Sequence, residues 1–316
     1  MNEQQMIDQV RSLLDPAEPP PYLRVRVDRM FAGPARSARS ARRMSWRLAT
    51  VGAAATVGVL SLLIGSVVSI DGEPPAASAQ AAEILHRAAD AARADRTPAP
   101  RAEQFILTTT KGFGPVVGQN ELSESLTRSW MSVDGTRDSM IWVSDPPVGG
   151  RQQTVIPGCR DGRAAEWGPD GSLLKSTRPC TPTPAYLNKV PTEADSMLSY
   201  LRRMSGGTAS SDEEAFANVG DLIRGYLPAQ SRAALYEAAT KIPGVIASSS
   251  MTDAAGRSGI AVSLVGNIDR YDLIFEPKTY RLLSWQVVPK AEYAGRPARS
   301  EVILNIVIVD RAGQTS

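Results

Sequence analysis

The sequence predicts an α+β protein: a single transmembrane helix followed by an extracytoplasmic domain with a curved antiparallel sheet and covering helices. Three observations predict it. Leu48 to Ile70 is an unbroken run of 23 uncharged residues. Beyond it, period-two alternation fills two blocks near residues 103–143 and 245–309, with helical stripes grouped before and between them. Two cysteines, Cys159 and Cys180, stand equally far from a Gly-Pro-Asp-Gly turn.

A helix rises about 1.5 Å per residue, so the apolar run reaches about 35 Å, enough for a hydrocarbon core of about 30 Å. Eleven of its residues are Leu, Ile or Val. Arg24 to Arg47 holds eight arginines and one aspartate, while the other flank opens with Asp71 and Glu73. The positive-inside rule therefore puts residues 1–47 in the cytoplasm and residues 71–316 outside. The expected divisions are a tail, 1–47; a membrane helix, 48–70; a stalk, 71–79; and an outer domain, 80–312. The expected place is the cell membrane, with the run kept as a signal anchor. The n-region is too long and the apolar run too extended for a cleaved signal peptide, although Ala77-Ser-Ala79 would suit its processing.

In the tail, Met6, Ile7, Val10, Leu13 and Leu14 form one apolar helical stripe that Pro16 and Pro19–Pro21 stop. So short and arginine-rich a segment cannot hold a core of its own. The stripe suits folding onto a cytoplasmic partner, a sigma factor or another regulator, and the five residues are the candidate contacts. The rival reading is a solvated tail whose arginines touch acidic lipid. The basic run is short and lies against the membrane, which argues against nucleic acid. The His and Cys pattern of zinc-type anti-sigma proteins is missing from this region.

The outer domain reads in order. Ser78 caps a helix through Ala94, with Ala82, Leu85, Ala89 and Ala92 toward the core and His86 beside them. Strands follow at 104–110, 122–133 and 138–143, the last pair joined by Asp134-Gly135. Cys159 and Cys180 clamp a hairpin about Pro169-Asp170, and outside the cytoplasm they should form a disulfide. Three helices come next: Thr192–Met204, one capped by Ser211, and one opened by Pro228 and ended by Pro243-Gly244. Strands at 245–252, 259–265, 271–275, 282–288 and 301–309 complete the chain.

Chemistry is sparse. One histidine rules out a two-histidine metal site, and two cysteines rule out a four-cysteine zinc site. Ser172-Leu-Leu-Lys175 matches S-x-x-K, but its S-D-N and K-T-G companions are missing. No Walker loop, dinucleotide fingerprint or G-x-S-x-G occurs. Asp134, Asp138, Asp161, Asp170 and Asp253 sit in turns or beside glycine, where turn duty accounts for them. A protein without catalytic, cofactor or metal residues is expected.

Several segments carry a resemblance: Ala81-Ala-Glu-Ile-Leu-His-Arg-Ala-Ala89, Trp130-Met-Ser-Val-Asp-Gly135, Pro191-Thr-Glu-Ala-Asp195, Arg232-Ala-Ala-Leu-Tyr236 and Ile274-Phe-Glu-Pro-Lys-Thr279. Through them the chain resembles an actinobacterial family of single-pass membrane proteins, itself without an assigned mechanism, often encoded beside extracytoplasmic-function sigma factors. That resemblance implies an anti-sigma-like envelope sensor that couples the outer domain to the tail. The outer domain is also similar, in fold pattern alone, to lipoprotein carriers, whose curved sheet and helices make an apolar cradle. That likeness implies the alternative function: a membrane-tethered carrier or chaperone for lipid or another hydrophobic ligand.

Overall fold

The computed structural model describes residues 77–115, 122–144, 152–168, 171–204, 212–290 and 299–315. The expected tail contacts Met6, Ile7, Val10, Leu13 and Leu14 and the expected span 48–70 lie outside them. Among the described residues no helix is long and apolar enough to cross a membrane.

The first helix, α1 (Ala79–Ala94), starts where the sequence places it. The Ser78 hydroxyl accepts the Ala81 N–H at 3.3 Å. Its buried face is Ala81, Ile84, Leu85, Ala88, Ala89 and Ala92. The expected stripe is thus turned slightly: Ala82 is only half-buried, and His86 is exposed. Strands β1 (Phe105–Pro115), β2 (Leu122–Ser132), β3 (Ser139–Val143) and β4 (Gln153–Ile156) then form a meander. β4 is a strand that the sequence reading lacks; its four residues are too few to show a period. A hairpin, β5 (Arg163–Trp167) and β6 (Leu173–Pro179), forms a two-stranded sheet of its own.

Helices α2 (Ala194–Arg203), α3 (Asp212–Ile223) and α4 (Ala229–Thr240) precede a second meander. Its strands are β7 (Val245–Thr252), β8 (Ser258–Val265), β9 (Asp269–Phe275), β10 (Leu282–Pro289) and β11 (Arg299–Val309). The two meanders join through their first and last members, because β1 pairs with β11. The result is one curved antiparallel sheet of nine strands, ordered β4-β3-β2-β1-β11-β10-β9-β8-β7. The class is α+β, as expected.

The helices cover one end of this sheet. α1 and α4 meet along alanines, among them Ala88, Ala89, Ala234 and Ala238, whose small side chains permit close approach. Phe216, Val219 and Leu222 of α3 join Leu235 of α4 over Val262, Leu273 and Phe275 of the sheet. Tyr236 lies edge-on to Phe275 at 5.6 Å between centroids, and burial pushes its hydroxyl pKa up. Gly220 faces Trp285 of β10 so closely that a Cβ there would stand 1.8 Å from the indole nitrogen. Glycine is therefore the residue that lets α3 lie on β10.

Three bulges bend the sheet, one between Ser248 and Met251 in β7, one at Leu283 in β10 and one beside Ile303 in β11. A bulge takes a residue out of the ladder and leaves backbone groups to be satisfied elsewhere. Arg257, in the β7–β8 turn, donates to the Leu283 carbonyl at 2.8 Å and the Ile303 carbonyl at 3.3 Å. Asp253, fully buried, holds that guanidinium at 2.7 Å. The turn duty expected of Asp253 is real, since it also accepts the Ala255 and Arg257 N–H groups.

Candidate functional site

Directly opposed residues of antiparallel strands share a face. One rung on the helix-bearing face therefore reads Ala247, Val262, Leu273, Trp285, Glu301, Gly112, Ser125 from β7 to β2. It is apolar beneath the helices, charged at β11, and small and polar beyond.

The charge at β11 belongs to a buried triad. Arg224, just past α3, has a side chain only 6 % exposed. It donates to Glu301 at 2.8 Å and to the Gly220 carbonyl at 3.0 Å, and it also pairs with Asp221. Its guanidinium stands 4.6 Å from the centroid of the Trp285 ring. Burial by itself would lower the Arg224 pKa; Glu301 and Asp221 outweigh it and hold the pKa above its ordinary value. The triad thus marks the border where the helix layer stops.

Past that border, the same face is an aliphatic and hydroxyl surface. Ile303, Ile306 and Ile308 of β11 adjoin Ile106 of β1, Met131 of β2, and Ile141 and Val143 of β3. Thr108, Thr110, Thr127 and Ser129 lie among them. Ile106 and Thr110 are buried and the others half-buried. None of these aliphatic side chains belongs to either hydrophobic core of the domain. The second core lies on the opposite face, where Phe105, Leu107, Trp130 and Val309 pack together. The C-terminal turn caps it, with the Trp130 indole N–H donating to the Gln314 carbonyl at 2.6 Å. The aliphatic–hydroxyl face is the candidate site. It offers dispersion contacts, a hydrophobic floor and few charges, which suits an acyl chain or another apolar group.

A second concavity, of about 200 Å³, is lined by Asp95, Pro98, Tyr186, Tyr226, Pro228 and Arg232 among others. Its own ion pair, Arg232 to Asp95 at 2.5 Å, crosses it. The Thr97 hydroxyl and backbone N–H, with Arg232, hold the Asp95 pKa down at about 2 despite partial burial. Burial, and after it the nearby Asp95 charge, raises the Tyr226 pKa. This cleft is smaller than most ligand pockets and already internally paired.

Of the expected site residues, Cys159 and Cys180 are joined in a disulfide, with Cα atoms 5.9 Å apart. Ser172 and Lys175 fall on the β5–β6 hairpin, where the Ser172 carbonyl closes the turn by accepting the Gly168 N–H. Asp134 and Asp138 serve local backbone N–H groups, at Thr136 and Gly158. Among the described residues no cluster of three or more metal-ligating side chains occurs. The sequence reading misses the aliphatic–hydroxyl face. Its signal was the isoleucines at 306 and 308, opposed to the alternating Ile106 and Thr108, but alternation cannot say which face the helices leave open.

The chain matches no known protein family, and no curated protein matches it, so the resemblance to the actinobacterial family stays unconfirmed. Among solved structures, it is similar to a LolA superfamily protein from Nitrosomonas europaea. The two are 9 % identical, the match covers 73 % of this chain and 93 % of that one, and the TM-score is 0.22. It is also similar to a Vibrio parahaemolyticus domain described as an outer membrane lipoprotein-sorting protein. That pair is 10 % identical, with 72 % and 93 % covered and a TM-score of 0.26. Superpositions this loose carry no argument about what the chain does.

Proposed function

We propose that the outer domain is a non-enzymatic binder of lipid or a similar hydrophobic ligand, held at the outer surface of the cell membrane by the 48–70 span. One observation carries the reading: the helix-bearing face continues past the Arg224 triad as an aliphatic surface that neither core absorbs. The ligand lies along β11, β1, β2 and β3, its apolar part on Ile306, Ile308 and Ile141. Thr108 and Ser129 are near enough to that path to satisfy a polar head. The test compares the full chain, purified in mild detergent, with Ile141→Gln/Ile306→Gln, and identifies co-purifying lipids by mass spectrometry. Both proteins keep the same apolar span, so lipid held by the span cancels. A species retained by the wild type and lost from the double variant is expected. Identical lipid lists would defeat the reading.

A regulatory role for the tail is compatible with this one. Its support is the apolar stripe Met6, Ile7, Val10, Leu13 and Leu14, which has no core of its own to join. Deletion of residues 1–21 would then remove a co-purifying sigma factor or other regulator while leaving the lipid in place.

A further inference from the structure

We infer that the disulfide-clamped hairpin β5–β6 is a bilayer contact, its outward face resting on anionic lipid headgroups. The hairpin is outside the main sheet, since its two strands pair only with each other. The Cys159–Cys180 bond closes its open end. Register and alternation sort its side chains. Arg163, Ala165 and Trp167 share one face with Pro179, Thr177 and Leu173, and Lys175 lies beside it in the irregular stretch of β6 where the register shifts. The other face holds Ala164, which is buried, opposite the exposed Arg178, and Glu166, which accepts the Ser176 hydroxyl at 2.6 Å. The Trp167 face thus carries Arg163, which also donates to the Thr177 hydroxyl and carbonyl, and an apolar end, with Lys175 beside it and no carboxylate in its register.

Solvent reaches this face at its charged and aromatic members, while Ala165 and Leu173 are half-buried. Trp167 is 38 % exposed, and nearby Leu174 on the other face is 42 % exposed. Arg163 and Lys175 are exposed as well. A large apolar side chain in water is unfavourable, and tryptophan beside lysine and arginine is the composition that settles at the headgroup level. Anionic headgroups attract such cations. The rest of the outer region is net acidic: residues 71–316 hold 26 Lys and Arg against 28 Asp and Glu. The hairpin face is therefore a local cationic exception that would orient the domain on an anionic surface. Eight residues, Asp71 to Ser78, separate the expected span from α1, a reach of at most about 30 Å.

This inference rests on the membrane anchor, and the experiment separates the two. The full chain is reconstituted into vesicles of phosphatidylcholine with phosphatidylglycerol brominated near the headgroup end of its acyl chains. Flotation with the vesicles reports the anchor; bromine quenching of tryptophan reports the hairpin. Trp167 is one of five tryptophans, so wild type is compared with Trp167→Phe. The expected result is a quenched component in the wild type that Trp167→Phe loses. Lys175→Glu, which keeps all five tryptophans, should weaken that component. Equal quenching in wild type and Trp167→Phe, with both floating, overturns the inference. So does cross-linking of the hairpin to an acidic protein without bromine quenching.

Discussion

The two ends of the nine-stranded sheet solve the same problem differently. From β7 to β10 the helices supply the second layer, and Phe216, Leu235 and Ile242 close a core over Val262, Leu273 and Phe275. From β1 to β4 the sheet buries the opposite face instead, with its own Phe105, Leu107 and Trp130 and the C-terminal turn. The clustered apolar core therefore changes side as the ladder crosses β11. The change explains why an apolar surface stands outside both cores: the helix-bearing face stays aliphatic beyond the last of the described helices packed on it. Arg224 stands at the crossing, tying the end of α3 to β11.

Breaking that tie should have the largest effect. Arg224→Ala removes the buried cation that pairs the half-buried Asp221 and Glu301, and a loss of about 3 kcal/mol is expected in urea unfolding. Arg224→Met with Glu301→Gln should recover much of it, since the cost is mostly that of the stranded charge. Gly220→Ala drives a methyl into the Trp285 indole, which is buried and cannot swing clear. About 1–3 kcal/mol or more should be lost, read as a lower denaturant midpoint. The same glycine change at Gly162, where a Cβ meets nothing within 4 Å, is a control for crowding, although its φ of +74° favours glycine.

At the other end the stakes are smaller. Trp130→Phe keeps the ring packing but removes the bond to the Gln314 carbonyl, for a loss of about 1 kcal/mol. Hydrogen exchange should rise in β1–β3 and not in the helices. The smallest effect is in acid. Asp95 is held at about pKa 2, below its ordinary 3.8. Its contribution is fully present above about pH 4 and fades as the pH falls toward 2. The Arg232 pair is substantially exposed, so screening keeps this modest. Asp95→Asn should flatten the thermal midpoint against pH in that window alone.

Much of this arrangement was legible in the residues. The helix starts at Ser78 and Pro228, the strand alternation at Tyr271, Leu273 and Phe275, and the cysteine pairing were each local, and local chemistry decides them. Leu235, Ala238, Ala239 and Ile242 are all buried as their spacing predicts. What could not be read was the pairing of β1 with β11, which depends on the whole meander, and therefore which face would extend beyond the described helices. Arg224 and Arg257 look like ordinary surface arginines in sequence. Only the bulges and the helix border give them buried carbonyls and carboxylates to serve. The candidate site was illegible for the same reason, being defined by where a layer ends and not by any motif.

The join between first and last strands also governs the order in which the chain can be made. Phe105 lies opposite Val309, so the pair that unites the two meanders closes a loop of roughly 200 residues. Each meander can form from near neighbours as it emerges, but β1 keeps an open edge until the final strand arrives. A contact so distant in sequence slows completion and lengthens the time an unpaired strand is exposed to other chains. Maturation of this domain therefore waits on β11. Truncation just before β11 would strand both meanders half-built, whatever the state of the helices between them.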